Sequence, residues 1–128
     1  MDALLKKLQH RPGTPITVVD APDDLASTID TIDATGPVCV MTSWAAGYLS
    51  PRGRGALADV LDEVGTRREV LWLSLEAPGV VDLFDQPVHH GHFDIVPSVV
   101  GVVRFRKGKR DACALACVHP HGKSLEWT

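Results

Sequence analysis

Two short apolar segments constrain the fold of this chain more than any other feature. VCVMT (residues 38–42) and VLWLSLE (residues 70–76) are apolar along most of their length, without alternation of polar and apolar residues. A strand is apolar on both faces when both faces of its sheet are covered, as in parallel sheets flanked by crossover helices. The two segments therefore predict neighbouring strands of a buried, mainly parallel sheet.

The residues between these segments predict the crossover helix. Ser50 offers an N-cap hydroxyl, Pro51 suits the first helical position, and Gly65 is a common C-terminal stop. Apolar residues recur between them at helical spacing, namely Ala56, Leu57, Val60, Leu61 and Val64. Upstream, the same reasoning predicts a short strand at ITVV (residues 16–19) and a helix of about three turns carrying Leu25, Ile29 and Ile32.

The last third of the chain has a different character. Residues 77–97 contain three prolines and two glycines, which predict a long connection with one helical turn around residues 80–84. VVGVVRFR and ACALACVH then flank a glycine-containing turn and predict an antiparallel hairpin. The expected fold class is α/β, with a mainly parallel sheet that ends in an antiparallel β-hairpin.

A length of 128 residues fits one domain with a substantial core. We divide the predicted domain into an N-terminal helix and linker, a βαβαβ unit, a long loop and a C-terminal hairpin. These parts cover residues 1–13, 14–76, 77–97 and 98–128, respectively.

Composition argues against several classes of partner. The formal net charge of -3 gives no general attraction to nucleic acid or to anionic lipid. No apolar stretch reaches the roughly 20 residues of a membrane helix, and the N-terminus lacks the apolar region of a secretory signal, so we expect a cytoplasmic protein. The three cysteines form no CxxC pair, and they are interpreted as small buried apolar residues.

The best-placed candidate for binding a small molecule follows the strand at residues 38–42. Ser43, Trp44 and Tyr48 come directly after it, and Glu76 ends the next predicted strand. Ligands of open α/β sheets bind beyond the carboxyl ends of the strands, so these four side chains are candidate ligand-binding residues. The alternative, which we favour, is that the two aromatic side chains pack the following helix onto the sheet.

Histidines supply the main candidates for a metal site, and Cys117 is the one cysteine close enough to help. His119 and His121 are two residues apart, which places their side chains on the same side of a strand about 6.6 Å apart. Such a pair could chelate one metal ion with a third ligand from the loop histidines, which are His89, His90 and His92. We favour a structural role, in which Pro120 and Gly122 end the strand, and we assign no metal and no cofactor.

Three segments resemble one known family. VCVMTSWAAGYLSPRGRGAL, VLWLSLEAPG and ALACVHPHGKSLEW resemble the C-terminal half of an uncharacterised actinobacterial family, a domain of unknown function whose members end in HPHGxxLxW. That family looks like the class I methyltransferases, which implies a partial Rossmann-like three-layer sandwich. The resemblance also implies that Asp20, after ITVV, matches an acidic residue near the adenine of S-adenosylmethionine. The glycine-rich turn that binds this cofactor in methyltransferases has no counterpart in the chain, which argues against an enzyme.

A partial sheet leaves the strand at residues 38–42 with an unprotected apolar edge, because VCVM carries no charge. We therefore expect a homodimer that pairs through an exposed sheet edge or a helix face. The predicted function is a non-catalytic or small-ligand-binding homo-oligomer derived from a methyltransferase-like fold. The alternatives are a metal-dependent enzyme that uses His119 and His121, and an interaction subunit completed by another protein.

Overall fold

A computed structural model describes residues 24–33, 35–89, 91 and 93–128. The elements in chain order are α1 (Leu25–Asp30), β1 (Val38–Ser43), a single 3-10 turn (Ala46–Tyr48), α2 (Pro51–Gly65), β2 (Val70–Glu76), β3 (Ser98–Arg106), β4 (Lys109–Val118) and β5 (Leu125–Trp127). The helix predicted before residue 13, the strand at ITVV and Asp20 lie outside the described residues. No helix in the described part is long and apolar enough to cross a membrane.

The strands form one sheet in the order β1-β2-β3-β4-β5. β1 and β2 are parallel, whereas the other three pairings are antiparallel. The α/β class and the C-terminal hairpin are thus confirmed, but a mainly parallel sheet is not. The reason lies in residues 77–97: Glu76 at the end of β2 pairs with Val99 at the start of β3, so the chain re-enters the sheet at the end where it left. The helical turn predicted around residues 80–84 is absent, and this part of the segment is irregular.

One face of the sheet, which we call the helical face, carries the core. Register places Val70 and Trp72 of β2 beside Phe105 and Val103 of β3, and all four side chains are buried. The apolar stripe of α2 packs into the same cluster through Leu57, Leu61 and Val64, joined by Leu25 and Ile29 of α1. From the irregular segment after β2, Phe84 covers Gly101, where an added Cβ would lie 2.2 Å from the phenyl ring.

The opposite face, which we call the open face, has no helix over it within the described residues. A row of side chains crosses it from β1 to β4, made of Met41, Leu73, Val102 and Cys113. Met41 is 70% exposed, and the cysteine is also exposed. β1 therefore alternates between exposed residues and residues that are buried or half-buried, which differs from the prediction of a strand buried on both faces. A three-layer sandwich is not confirmed, because α1 and α2 share one cluster on the helical face.

The ends of α2 show why this helix sits where it does. The Ser50 hydroxyl accepts a hydrogen bond from the Gly53 N–H at 3.0 Å, with Pro51 next to it, so the predicted N-cap is confirmed. Gly65 ends the helix as predicted, but the left-handed conformation typical of a glycine stop is not used. Thr66 follows it with ordinary helical dihedrals, and a Cβ on Gly65 would lie 2.8 Å from Cβ of Phe105. The glycine is required because helix and sheet approach each other closely.

We predict that Gly65→Ala destabilises the protein by about 1–3 kcal/mol, because the added methyl group overlaps Phe105 and its backbone. Gly55→Ala in the same helix is the matched control, since nothing lies within 4 Å of its Cβ position. The control should stabilise by about 0.5–1 kcal/mol through helix propensity. Urea unfolding measures both free energies, and equal effects of the two substitutions would contradict the close approach.

Candidate functional site

The carboxyl ends of the two parallel strands are joined by a buried carboxylate. Glu76, the last residue of β2, is only 2% exposed. Its Oε1 accepts hydrogen bonds from the backbone N–H groups of Ala45 (3.1 Å) and Ala46 (3.0 Å), and its Oε2 accepts one from Gly47 (3.3 Å). A buried carboxylate needs such donors to offset its desolvation. Glu76 therefore holds residues 45–47, between β1 and α2, in place through their backbone N–H groups.

The residues above this carboxylate are held in an unusual backbone conformation. Trp44 has a φ of 54°, in the left-handed region that non-glycine residues rarely adopt, and its N–H donates to the Leu75 carbonyl at 2.9 Å. Its side chain is 43% exposed and that of Tyr48 is 91% exposed. Neither ring belongs to the buried core, so the interpretation that they pack α2 onto the sheet does not describe Tyr48.

The predicted ligand-binding residues are thus only partly assembled for binding. Ser43, Trp44 and Tyr48 follow one another at the carboxyl end of β1 and are all exposed. Glu76 lies below them, with both oxygens occupied by backbone donors, so its carboxylate is a structural anchor. Asp20 lies outside the described residues. In the described residues, the exposed rings of Trp44 and Tyr48 are the part of this rim that a ligand could contact.

The CVHPHGKSLEW segment forms a tight turn between β4 and β5. The Gly122 N–H donates to the His119 carbonyl at 2.7 Å, and Gly122 has a φ of +71°. Proline at the second position and glycine at the fourth suit a β-turn of this kind. The His119 N–H also donates to the Ser124 carbonyl at 2.9 Å, which leads the chain back into β5.

His119 is held on both ring nitrogens inside this turn. It is 3% exposed, and its Nδ1 accepts a hydrogen bond from the His121 N–H at 3.1 Å. The proton of the neutral ring therefore lies on Nε2, which donates to Asp94 Oδ1 at 2.7 Å. This bond, together with Lys123 nearby, holds the pKa of Asp94 below its ordinary value. With both nitrogens engaged, His119 has no lone pair left for a metal ion or for general base catalysis.

The other histidines do not complete a site in the described part of the chain. The rings of His119 and His121 have centroids 5.6 Å apart, and His89 stacks edge-on against Phe93 at 5.7 Å. His90 and His92 lie outside the described residues. Among those that are described, no group of three or more His, Cys, Asp or Glu side chains is placed to hold a metal ion.

Two clefts were not predicted from the sequence. One of about 280 Å³ lies between α2 and residues 79–83, with Arg54 and Arg110 in its wall. Arg110 is already paired with Asp59 at 3.3 Å and Asp62 at 3.2 Å. The second cleft, of about 250 Å³, lies beside β5 and is lined by Pro87, Val88, Cys117, Glu126, Trp127 and Thr128. Both combine residues distant in sequence, so no local pattern could have indicated them.

We predict that Glu76→Ala lowers the free energy of unfolding by about 3 kcal/mol, because it leaves three backbone donors without an acceptor. Glu76→Gln should lower the free energy of unfolding by nearly as much. Its amide NH2 group would face a backbone N–H that now donates to a carboxylate oxygen. Urea unfolding of both variants measures this, with the exposed Glu63→Gln as the control. If Glu76→Gln left the free energy of unfolding unchanged, the carboxylate would not be what anchors this loop.

A second prediction concerns Asp94 and pH. Because its pKa is lowered in the folded protein, its contribution to stability is present above the unfolded value near 3.8 and is lost as pH falls through the folded value. Asp94→Asn should therefore make stability less sensitive to pH below about pH 4. Urea midpoints measured at neutral and acidic pH test this, with Asp111→Asn as the control. An acid dependence identical to that of the parent chain would contradict the role of the pair.

The comparisons with known proteins identify one family. The model of an uncharacterized protein conserved in bacteria (DUF2332) matches residues 1–127. Neither the curated proteins nor the solved structures contain a match to this chain. Because the matched region spans nearly all of the sequence, the chain belongs to the DUF2332 family of uncharacterised bacterial proteins.

Proposed function

We propose that this protein is a non-catalytic, self-associating α/β protein in which a second copy covers the open face. The observation that carries the proposal is the row of Met41, Leu73, Val102 and Cys113, which crosses four strands without a helix over it in the described residues. Met41 and Cys113 in this row are exposed, and Leu73 and Val102 are half-buried. Contiguous exposed apolar patches mark interaction sites. Two sheets packed face to face would bury this row in a sandwich.

The dimensions of the open face suit a dimer. Five strands spaced about 4.8 Å apart, with about six residues at 3.3 Å each, span roughly 24 by 20 Å. Side-chain relief increases that flat area toward the ~800 Å² per partner that a standard stable interface buries. The flat area of roughly 480 Å² is thus within a factor of two of a standard interface.

The charges on the face suit a second copy of the same chain. Arg104 and Asp111 pair across β3 and β4 at 3.0 Å, so this part of the face is neutral in itself. Around a two-fold axis, each such pair can also meet its symmetry mate, and the rest of the face offers Leu71, Leu75 and Val100. A partner of strong single charge would gain nothing here, which favours the homodimer over an interaction subunit completed by another protein.

The candidate catalytic groups support a non-catalytic role. His119 has both ring nitrogens in hydrogen bonds, and Glu76 is occupied by three backbone donors. A general base must reach a substrate proton with a free lone pair. His119 has none left, and Glu76 is buried beneath its three backbone donors. This engagement argues against the alternative of a metal-dependent enzyme that uses His119 and His121.

The methyltransferase-like, Rossmann-like ancestry is also part of the proposal. It is supported by the parallel pair β1 and β2 joined through α2, the unit from which such folds are built. In this view Trp44 and Tyr48 form the remnant of a ligand rim, at which a small molecule with an aromatic ring could stack.

We expect Met41→Lys to convert a dimer into a monomer, because it places two unpaired charges within the apolar row of a two-fold interface. The dimer dissociation constant should rise about hundredfold or more. Since Met41 is 70% exposed, the substitution leaves the fold of each copy intact. Sedimentation equilibrium of the parent chain and the variant measures the constants.

Ala56→Lys is the matched control, because it adds the same charge at an exposed position of α2 on the helical side. It should leave the dissociation constant unchanged. A parent chain that stays monomeric at every concentration, or a dimer that tolerates Met41→Lys but not Ala56→Lys, would refute association through the open face.

A further inference from the structure

The cleft beside β5 contains an acidic side chain that has one oxygen without a partner in the described part of the chain. Glu126 lies opposite Cys117 across β4 and β5. Its Oε2 is buried and has no hydrogen-bond partner among the described residues. Buried carboxylate oxygens are nearly always satisfied by a donor, so an unsatisfied one calls for an explanation such as a bound ligand.

The composition of the cleft defines the ligand that would satisfy this carboxylate. No lysine, arginine or histidine is among the six residues that line it in the described structure. Pro87, Val88 and Trp127 supply apolar walls, and the last two side chains are 82% and 72% exposed at its rim. An acidic side chain beside apolar walls in an open cleft favours a cation that carries its own apolar substituent.

The neighbouring thiol argues against a metal ion. Burial raises the pKa of Cys117, and the negative charge of Glu126 raises it further. A thiol in this setting stays protonated, whereas zinc and other soft metals bind the thiolate. Glu126 is the one acidic side chain among the six lining residues, which matches a monovalent cation.

We propose that this cleft is a binding site for a small organic ammonium ion. Its N–H groups would donate to the Glu126 carboxylate, while its alkyl portion would contact Val88 and Trp127. At about 250 Å³, the cleft accommodates an amine of a few carbon atoms. This inference goes beyond self-association and does not depend on it, because the Glu126 carboxylate lies on the helical side with Cys117, whereas association uses the open face. Trp127, opposite Ala116, lies at the border of the two faces, so the titration is made at one fixed protein concentration.

The test is a titration of the isotope-labelled chain with n-butylammonium, followed through the indole N–H resonance of Trp127. We expect a saturable shift, with n-butanol, the neutral analogue of similar length, producing none at the same concentrations. Glu126→Gln keeps the shape of the side chain and should raise the dissociation constant of butylammonium about tenfold or more. Glu63→Gln, an exposed substitution on α2, should leave it unchanged.

Equal shifts by butylammonium and butanol, or no saturable shift by either, would overturn the proposal. Undiminished butylammonium binding by a folded Glu126→Gln variant would do the same. If that variant does not fold, the comparison of butylammonium with butanol on the parent chain still tests the proposal, because it requires no substitution.

Discussion

The contact between α2 and Phe105 is the interaction on which the rest of the structure depends. Phe105 is fully buried, and Gly65 lets the end of α2 approach its backbone, where the Lys107 N–H donates to the Gly65 carbonyl at 2.9 Å. Arg110 lies over the Phe105 ring at 5.7 Å while pairing with two acidic residues of α2. The exposed ion pairs add little energy, so apolar burial and close approach set the position of the helix.

Placing α2 on this side of the sheet has consequences at both ends of the strands. The chain that leads from β1 into α2 must bend sharply toward the helical face, and Glu76 satisfies the backbone donors exposed by that bend. Because α1 joins the same cluster, both described helices lie on one side. The side chains of β1, β2 and β3 that point away from the helices, such as Met41, Leu73 and Val102, then form the open face. Whether anything covers these apolar side chains therefore depends on contacts beyond the two helices.

Local patterns in the sequence predicted much of this fold. Ser50 and Pro51 marked the start of α2, and the apolar runs and glycine-containing turn marked β2, β3 and β4. Strand direction was harder, because the irregular path of residues 77–97 determines which way β3 enters the sheet. The apolar character of β1 predicts burial on both faces, since the sequence pattern does not show whether the residues facing away from the helices are covered.

The candidate site was less predictable for the same reason. Position after a strand correctly brought Trp44 and Glu76 to one rim, but only the structure shows that backbone donors occupy the carboxylate. The two histidines near the C-terminus were interpreted as structural on the strength of Pro120 and Gly122, and the turn agrees with this. Its partner Asp94 is 25 residues from His119, a separation at which no spacing rule applies.

The reactivity of the cysteines tests the central claim most directly, because the chain carries its own probes. Cys113 is exposed on the open face, whereas Cys117 is buried on the helical side and serves as an internal reference. The rate of Cys113 alkylation should fall as protein concentration rises through the dimer dissociation constant, while that of Cys117 stays slow throughout. A Cys113 rate that is independent of protein concentration would show that no second copy covers the open face.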